Sequence, residues 1–119
     1  IVVTPSALAK VVSLVEVTSP TTFMSPVTSM SLLETTISQC SFEGKIRTVK
    51  VITGHGSGVL RSSVREWCDD QRGRFQAVIH GEDYTMFNKE ASDMRIDCGL
   101  KKDPDFGRNN SAVTYIWLW

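Results

Sequence analysis

Val49-Lys50-Val51-Ile52-Thr53-Gly54-His55-Gly56-Ser57-Gly58-Val59-Leu60-Arg61 is the stretch that decides the fold. Lys45 to Ile52 is strand-like. Its near-continuous apolar end suits a central strand covered on both faces. Three alternating glycines follow, where the backbone can turn sharply and approach a ligand closely. Leu60, Val64, Trp67 and Cys68 then recur at helical spacing, so the glycines open an amphipathic helix that Gly73 closes. The first turn of a helix has free N–H groups and a partial positive charge, which together make an anion site. Arg61 lies in that turn and Arg65 one turn later, both off the Leu60–Val64–Cys68 stripe. No Gly-Lys-Ser/Thr follows, so this is not a Walker A loop. A dinucleotide loop would need a third glycine further into the helix and an acidic residue after the next strand. Ser57 is not in a nucleophile elbow, because residue 55 is His and residue 59 is Val.

Upstream, Leu14-Val15-Glu16-Val17 reads as a short strand. Residues 18–26 are a Ser/Thr/Pro loop. Ser25-Pro26 has the form of a helix start, with a hydroxyl cap and proline at the first helical position. Val27, Met30, Leu33, Ile37 and Cys40 lay one apolar stripe along a helix ending near 42–44, with Gly44 as its C-terminal cap. Residues 1–13 are expected to be an N-terminal arm, with a short helix at 5–13 as one reading. Downstream, 75–79 reads as a strand, 82–92 as a short helix and 94–98 as a strand. Residues 101–110 form a polar loop, and the aromatic, β-branched run 112–119 is the clearest strand. The expected architecture is βαβα followed by two or three strands. That makes a two-layer α/β sandwich over 14–119, with a mixed four- to five-stranded sheet and the helices on one face.

Composition narrows the function. Thirteen basic residues balance thirteen acidic ones over 119 residues, so any affinity for nucleic acid must come from a local patch. No run of about 18 apolar residues exists, and no membrane span is expected. Cys40, Cys68 and Cys98 are odd in number and widely spaced, which fits neither a disulfide framework nor a zinc site. Cys40 and Cys68 fall on core-facing helix positions. A reducing intracellular compartment is the simpler reading. The chain starts on Ile1, as expected of a trimmed or processed end.

The run Val51–Arg61 resembles the signature of the Smr (small MutS-related) domain: a strand, His- or Thr-Gly-x-Gly-x-Gly, then a hydrophobic residue and an arginine opening a helix. The similarity extends over about 14–119, including a late turn into a strand ending in leucine. The resemblance implies a two-layer α/β fold like that of the C-terminal domain of bacterial translation initiation factor 3. It also implies binding of DNA or RNA, with Gly54, Gly56, Gly58 and Arg61 carried over from the motif. Several Smr domains are endonucleases. Their first strand usually carries Asp-x-His-Gly, implicated in cleavage, where this chain has Glu16-Val17-Thr18-Ser19. A carboxylate survives, but threonine cannot act as a general base near neutral pH. The loop position often held by His is Thr53. The family's late Gly-Gly is Asn109-Asn110, and asparagine is the non-glycine residue best suited to left-handed backbone angles.

These readings give a phosphate-binding set of Gly54, Gly56, Ser57, Gly58, Arg61, Arg65, Lys101, Lys102 and Arg108. Glu16 and His55 are the candidate catalytic pair, and no metal ligands are assigned. His80 reads as a surface residue, and Trp117 and Trp119 as packing residues. The expected function is binding of nucleic acid, RNA favoured over DNA, by a catalytically degenerate domain with protein partners in a larger ribonucleoprotein assembly. No cofactor is expected, and a divalent metal enters only if the chain cleaves. Two alternatives are an active endonuclease using Glu16 and His55, with Arg61 stabilising charge on phosphate, and a protein-interaction module whose loop is purely structural.

Overall fold

The computed structural model describes residues 9–14, 26–53, 58–71 and 73–119, without the side chains of 26–29. Four strands, β1 (Ala9–Ser13), β2 (Thr48–Ile52), β3 (Ala77–His80) and β4 (Val113–Trp117), form one mixed sheet. Three helices accompany them: α1 (Pro26–Glu43), α2 (Val59–Asp70) and α3 (Lys89–Asp97). The strand order is β1-β2-β4-β3. β1 runs parallel to β2, and β4 runs antiparallel to both β2 and β3.

Alternation along the two central strands separates two cores. Val49, Val51 and Ile116 face α1 and α2, where they meet Leu33, Ile37 and Cys40 of the first helix and Leu60, Val64 and Cys68 of the second. The apolar stripes read from the sequence are therefore the buried faces, apart from Val27, whose side chain lies outside the described set. Val113, Tyr115 and Trp117 face the other way, against Ala91, Met94 and Cys98 of α3 and Tyr84, Leu100 and Phe106 beside it. α1 and α2 share one face of the sheet as expected, and α3 with its flanking loop covers the second.

Two local expectations are corrected. The strand that pairs with β2 is Ala9–Ser13, a stretch assigned to an arm; the reading of 14–17 as the strand extends outside the described residues. At the sheet edge, β1 buries only Val12 among its five residues, so it has almost no apolar alternation to betray it. Residues 94–98 are the last turn of α3 and its cap, not a strand. Met94, Ile96 and Cys98 alternate in sequence, but Ile96 is exposed while Ala91, Met94 and Cys98 are buried at helical spacing. Asn88 caps this helix by accepting from the Ala91 amide at 3.2 Å.

Lys50 points into the second core from the middle of β2, and its residue is 8% exposed. Its ammonium donates to Asp103 Oδ1 at 2.8 Å and pairs with Asp105. Tyr115 Oη donates to Asp103 Oδ2 at 2.7 Å. The polar stretch 101–110 is thereby fastened across the sheet. Burial works against the Lys50 charge, but hydrogen bonds from Nζ to Asp103 and Asp105 and the charge of both carboxylates outweigh it and raise its pKa.

Gly81 is demanded by packing. A Cβ there would lie 1.9 Å from the Asn110 carbonyl oxygen and 2.9 Å from that of Val113, both backbone atoms. Gly81→Ala is expected to cost ~3 kcal/mol of stability, because a backbone segment must move to admit the methyl group. Lys50→Ala is expected to cost ~3 kcal/mol, because a buried carboxylate, Asp103, and a half-buried one, Asp105, lose their counter-charge. Urea unfolding of each variant against the parent chain checks both values.

Candidate nucleic-acid interface

One end of the sheet gathers the segments that matter. Ile52, at the end of β2, pairs with Ser13 at the end of β1 and with Val113 at the start of β4. His80, at the end of β3, pairs with Thr114. The chain therefore leaves three strands and enters the fourth at the same end of the sheet. The junction is tied by Thr53, whose amide donates to the Ala112 carbonyl at 2.8 Å and whose hydroxyl donates to the same oxygen at 3.1 Å. Thr53 is buried, so at this position, often His in the resembled family, the hydroxyl holds two chain segments together.

Gly58 caps the N-terminus of α2 with φ of 86°, a left-handed angle that glycine adopts without strain. Its carbonyl accepts the Ser62 amide at 3.0 Å. Arg61 folds back over it, since a Cβ on Gly58 would stand 2.9 Å from Arg61 Nη2. The guanidinium therefore sits beside Gly58 at the positive end of a helix whose first turn carries no acid. Among the described residues, no carboxylate pairs with Arg61. Gly54, His55, Gly56 and Ser57, and Glu16 with its proposed link to His55, lie outside the described residues.

Arg65 is held differently. Nη1 donates to Glu82 Oε2 at 2.9 Å and Nη2 to Glu82 Oε1 at 2.6 Å, a bidentate pair. Nη2 also donates to the Ser111 carbonyl at 3.1 Å, and Nε to Thr114 Oγ1 at 3.4 Å. The sequence reading missed Glu82. The only signal was its place directly after a strand and glycine, which does not identify a partner on another element.

Arg108 is exposed on the turn that enters β4. Asn109 in that turn has φ of 56°, the left-handed angle expected where the family has glycine. Asn110 donates to Asp105 Oδ1 at 3.1 Å and accepts from the Ala112 amide at 3.0 Å. An open depression lies here, walled by Pro104, Asp105, Arg108, Asn109, Asn110 and Ser111. Asp103 and Asp105, which alternate with the loop cations along the sequence, turn inward to Lys50. Lys101 and Lys102 are exposed but stand where the chain leaves α3. The end of that helix is tied to the opposite end of the sheet, where Arg47 donates to the carbonyls of Asp97 at 3.1 Å and Trp119 at 3.0 Å. The structure thus brings Gly58, Arg61, Arg65 and Arg108 to one end, and places Lys101 and Lys102 between the end of α3 and Asp103, which is held by Lys50.

Cys40, Cys68 and Cys98 are buried free thiols. Burial, assisted by nearby Asp69, pushes Cys68 up to about 12, which suits packing rather than nucleophilic chemistry. Among the described residues, no group of three or more His, Cys, Asp or Glu side chains is placed to hold a metal ion. Nor is any described helix long and apolar enough to cross a membrane.

Comparison with known proteins gives a consistent result. The family model described as the Smr domain matches residues 24–84. Among solved structures, the crystal structure of the Smr domain of Thermus thermophilus MutS2 is similar, with a TM-score of 0.56 at 16% identity. The alignment covers 92% of this chain and 98% of that one. No curated protein sequence matches the chain.

The ion pairs at this end make stability depend on acid. The hydrogen bond from Arg65 lowers the Glu82 pKa despite partial burial. Burial would raise Asp105, but hydrogen bonds from Lys50 and Asn110 outweigh it and lower it. A carboxyl with a lower pKa in the folded chain stabilises above its unfolded value and stops doing so as pH falls through the folded one. Unfolding free energy is therefore expected to drop on acidification below about pH 4.5. Glu82→Gln and Asp105→Asn should each flatten that part of the profile, measured by urea unfolding across pH.

Proposed function

This chain belongs to the Smr domain family, and we propose that it binds the backbone of nucleic acid, RNA in preference to DNA, at the N-terminal end of α2. The observation that carries the reading is the Arg61 guanidinium, laid over Gly58 at a helix N-terminus with no carboxylate partner among the described residues. A helix dipole and a cation that no described carboxylate pairs, placed at one point, favour a phosphate oxygen. Arg108, on the turn at the same sheet end, supplies a second cation. Gly54, Gly56 and Ser57 complete the cradle in this proposal, and His55 lies within it.

Binding without efficient cleavage is the form of the activity we favour. The first-strand Asp-x-His-Gly of the resembled family stands here as Glu16-Val17-Thr18-Ser19, which retains an acid and lacks the imidazole that would take a proton near neutral pH. A domain with balanced charge and few phosphate contacts fits a role inside a ribonucleoprotein or multi-protein assembly, where a partner supplies the remaining affinity.

The test is a titration of labelled single- and double-stranded RNA and DNA at several salt concentrations, with the same samples run for cleavage products. Arg61→Ala is expected to weaken binding to every sequence. On single strands it should reduce the slope of log affinity against log salt by about 0.7, the loss of one phosphate contact. An unchanged slope with unchanged affinity would remove Arg61 from the interface. Cleavage with added divalent metal, abolished by His55→Ala, would replace the binding-only form with an active nuclease.

A further inference from the structure

Arg65 has the sequence position of a phosphate ligand, one turn beyond Arg61 on the same helix. Its surroundings give it another part. The guanidinium reaches three separate segments: Glu82 in the short 3-10 turn Gly81–Asp83, the Ser111 carbonyl in the turn before β4, and Thr114 within β4. Four of its five N–H directions are thereby used, and its side chain is 17% exposed. The turn that carries Glu82 is itself pressed against the turn that carries Arg108, since Gly81 leaves no room for a Cβ beneath the Asn110 carbonyl. The end of β2 joins the same knot through Thr53 and Ala112.

We infer that Arg65 and Glu82 act together as a clamp that sets the Arg108–Ser111 turn against the first turn of α2, fixing where Arg108 stands relative to Arg61. Arg65 is then a positioning residue, and Glu82 supports binding although it is an anion at the edge of a site for anions. The inference rests on the nucleic-acid reading of this site for its functional consequence, while the clamp itself rests on the contacts alone.

The sign of one substitution separates a clamp from a ligand. Were Arg65 a phosphate ligand held back by Glu82, Glu82→Gln would free it, remove a negative charge and tighten binding. As a clamp, Glu82→Gln loosens the turn and weakens binding despite the removed charge. The experiment is fluorescence anisotropy of a labelled single-stranded RNA dodecamer with the full chain, Glu82→Gln, Arg65→Gln and the double variant, over a series of potassium chloride concentrations. Each single variant is expected to lose about tenfold in affinity, the scale on which small misplacement of binding groups acts. The salt slope should stay unchanged, and the double variant should be no worse than either single one. Tighter binding by Glu82→Gln, or a salt slope reduced by about 0.7 in Arg65→Gln, overturns the clamp.

Hydrogen exchange on the same proteins decides the matter separately from binding. Faster exchange at the Thr53, Ala112 and Val113 amides in Glu82→Gln supports the clamp even if no RNA binds, in which case the nucleic-acid reading fails alone. Parent-like exchange at those amides, in a variant that remains folded by circular dichroism, overturns the clamp.

Discussion

The last strand enters the sheet between β2 and β3, antiparallel to both, and this constraint organises the functional end of the molecule. A strand so placed must begin where its neighbours finish. The turn that leads into it therefore has to meet the end of β2 at Thr53 and the 3-10 turn leaving β3. Backbone pairing alone brings these segments together; side chains then fix them at a spacing that pairing does not set. Thr53 ties the end of β2 to Ala112 with its amide and its hydroxyl. Gly81 lets the Asn110 backbone pass at a distance no other residue allows. Arg65 spans from α2 to both turns. The connection of about thirty residues between β3 and β4, which carries α3, could otherwise place its end in many ways, since the entropic penalty of closure grows only slowly with length.

The same long connection explains what the sequence revealed and what it concealed. The α1 and α2 stripes were legible because each helix shows one side to the core and the other to water, which writes a period into the chain. β4 was legible because all five of its residues are buried and are β-branched or aromatic. Asn109 was legible because few residues tolerate a left-handed angle. The edge strand β1 was not, since one apolar residue inward is too little pattern. α3 was misread at its end because Met94, Ile96 and Cys98 satisfy a period of two as readily as Ala91, Met94 and Cys98 satisfy a helical one. Only the exposure of Ile96 separates them. Lys50 was hidden for a different reason. A charge in a central strand announces that a counter-charge must come from somewhere, but no local rule says that it comes from Asp103 and Asp105, more than fifty residues on.

The candidate site shows the same division. Its glycine loop, helix start and Arg61 form a contiguous motif, so spacing alone identified them. The status of Arg65 depended on Glu82, a residue on a different element, and the grouping of Lys101, Lys102 and Arg108 depended on the path of a loop. Adjacency in sequence suggested one basic cluster. The path spreads it, because α3 ends at the far end of the sheet, the middle of the loop is anchored by Lys50, and its last residues lead into β4.

Charge pairing then bears on how such a site could work. Lys50 and Arg65 are engaged by carboxylates within the fold, so neither adds an uncompensated cation at the surface. At the glycine-loop end, the described arginines left to meet phosphates are Arg61 and Arg108. Two such contacts to a single strand correspond to a salt slope near −1.4, shallow beside proteins that neutralise 6–10 phosphates. Affinity of that origin is weak at physiological ionic strength and carries no base-sequence information, since phosphates are the same at every position. A grip of this kind becomes selective and tight only when another module brings the right polymer to it and raises its effective concentration. On the proposed reading, the neutral balance of the whole chain and the two described arginines left at this end suit a domain that steadies a backbone chosen by a partner.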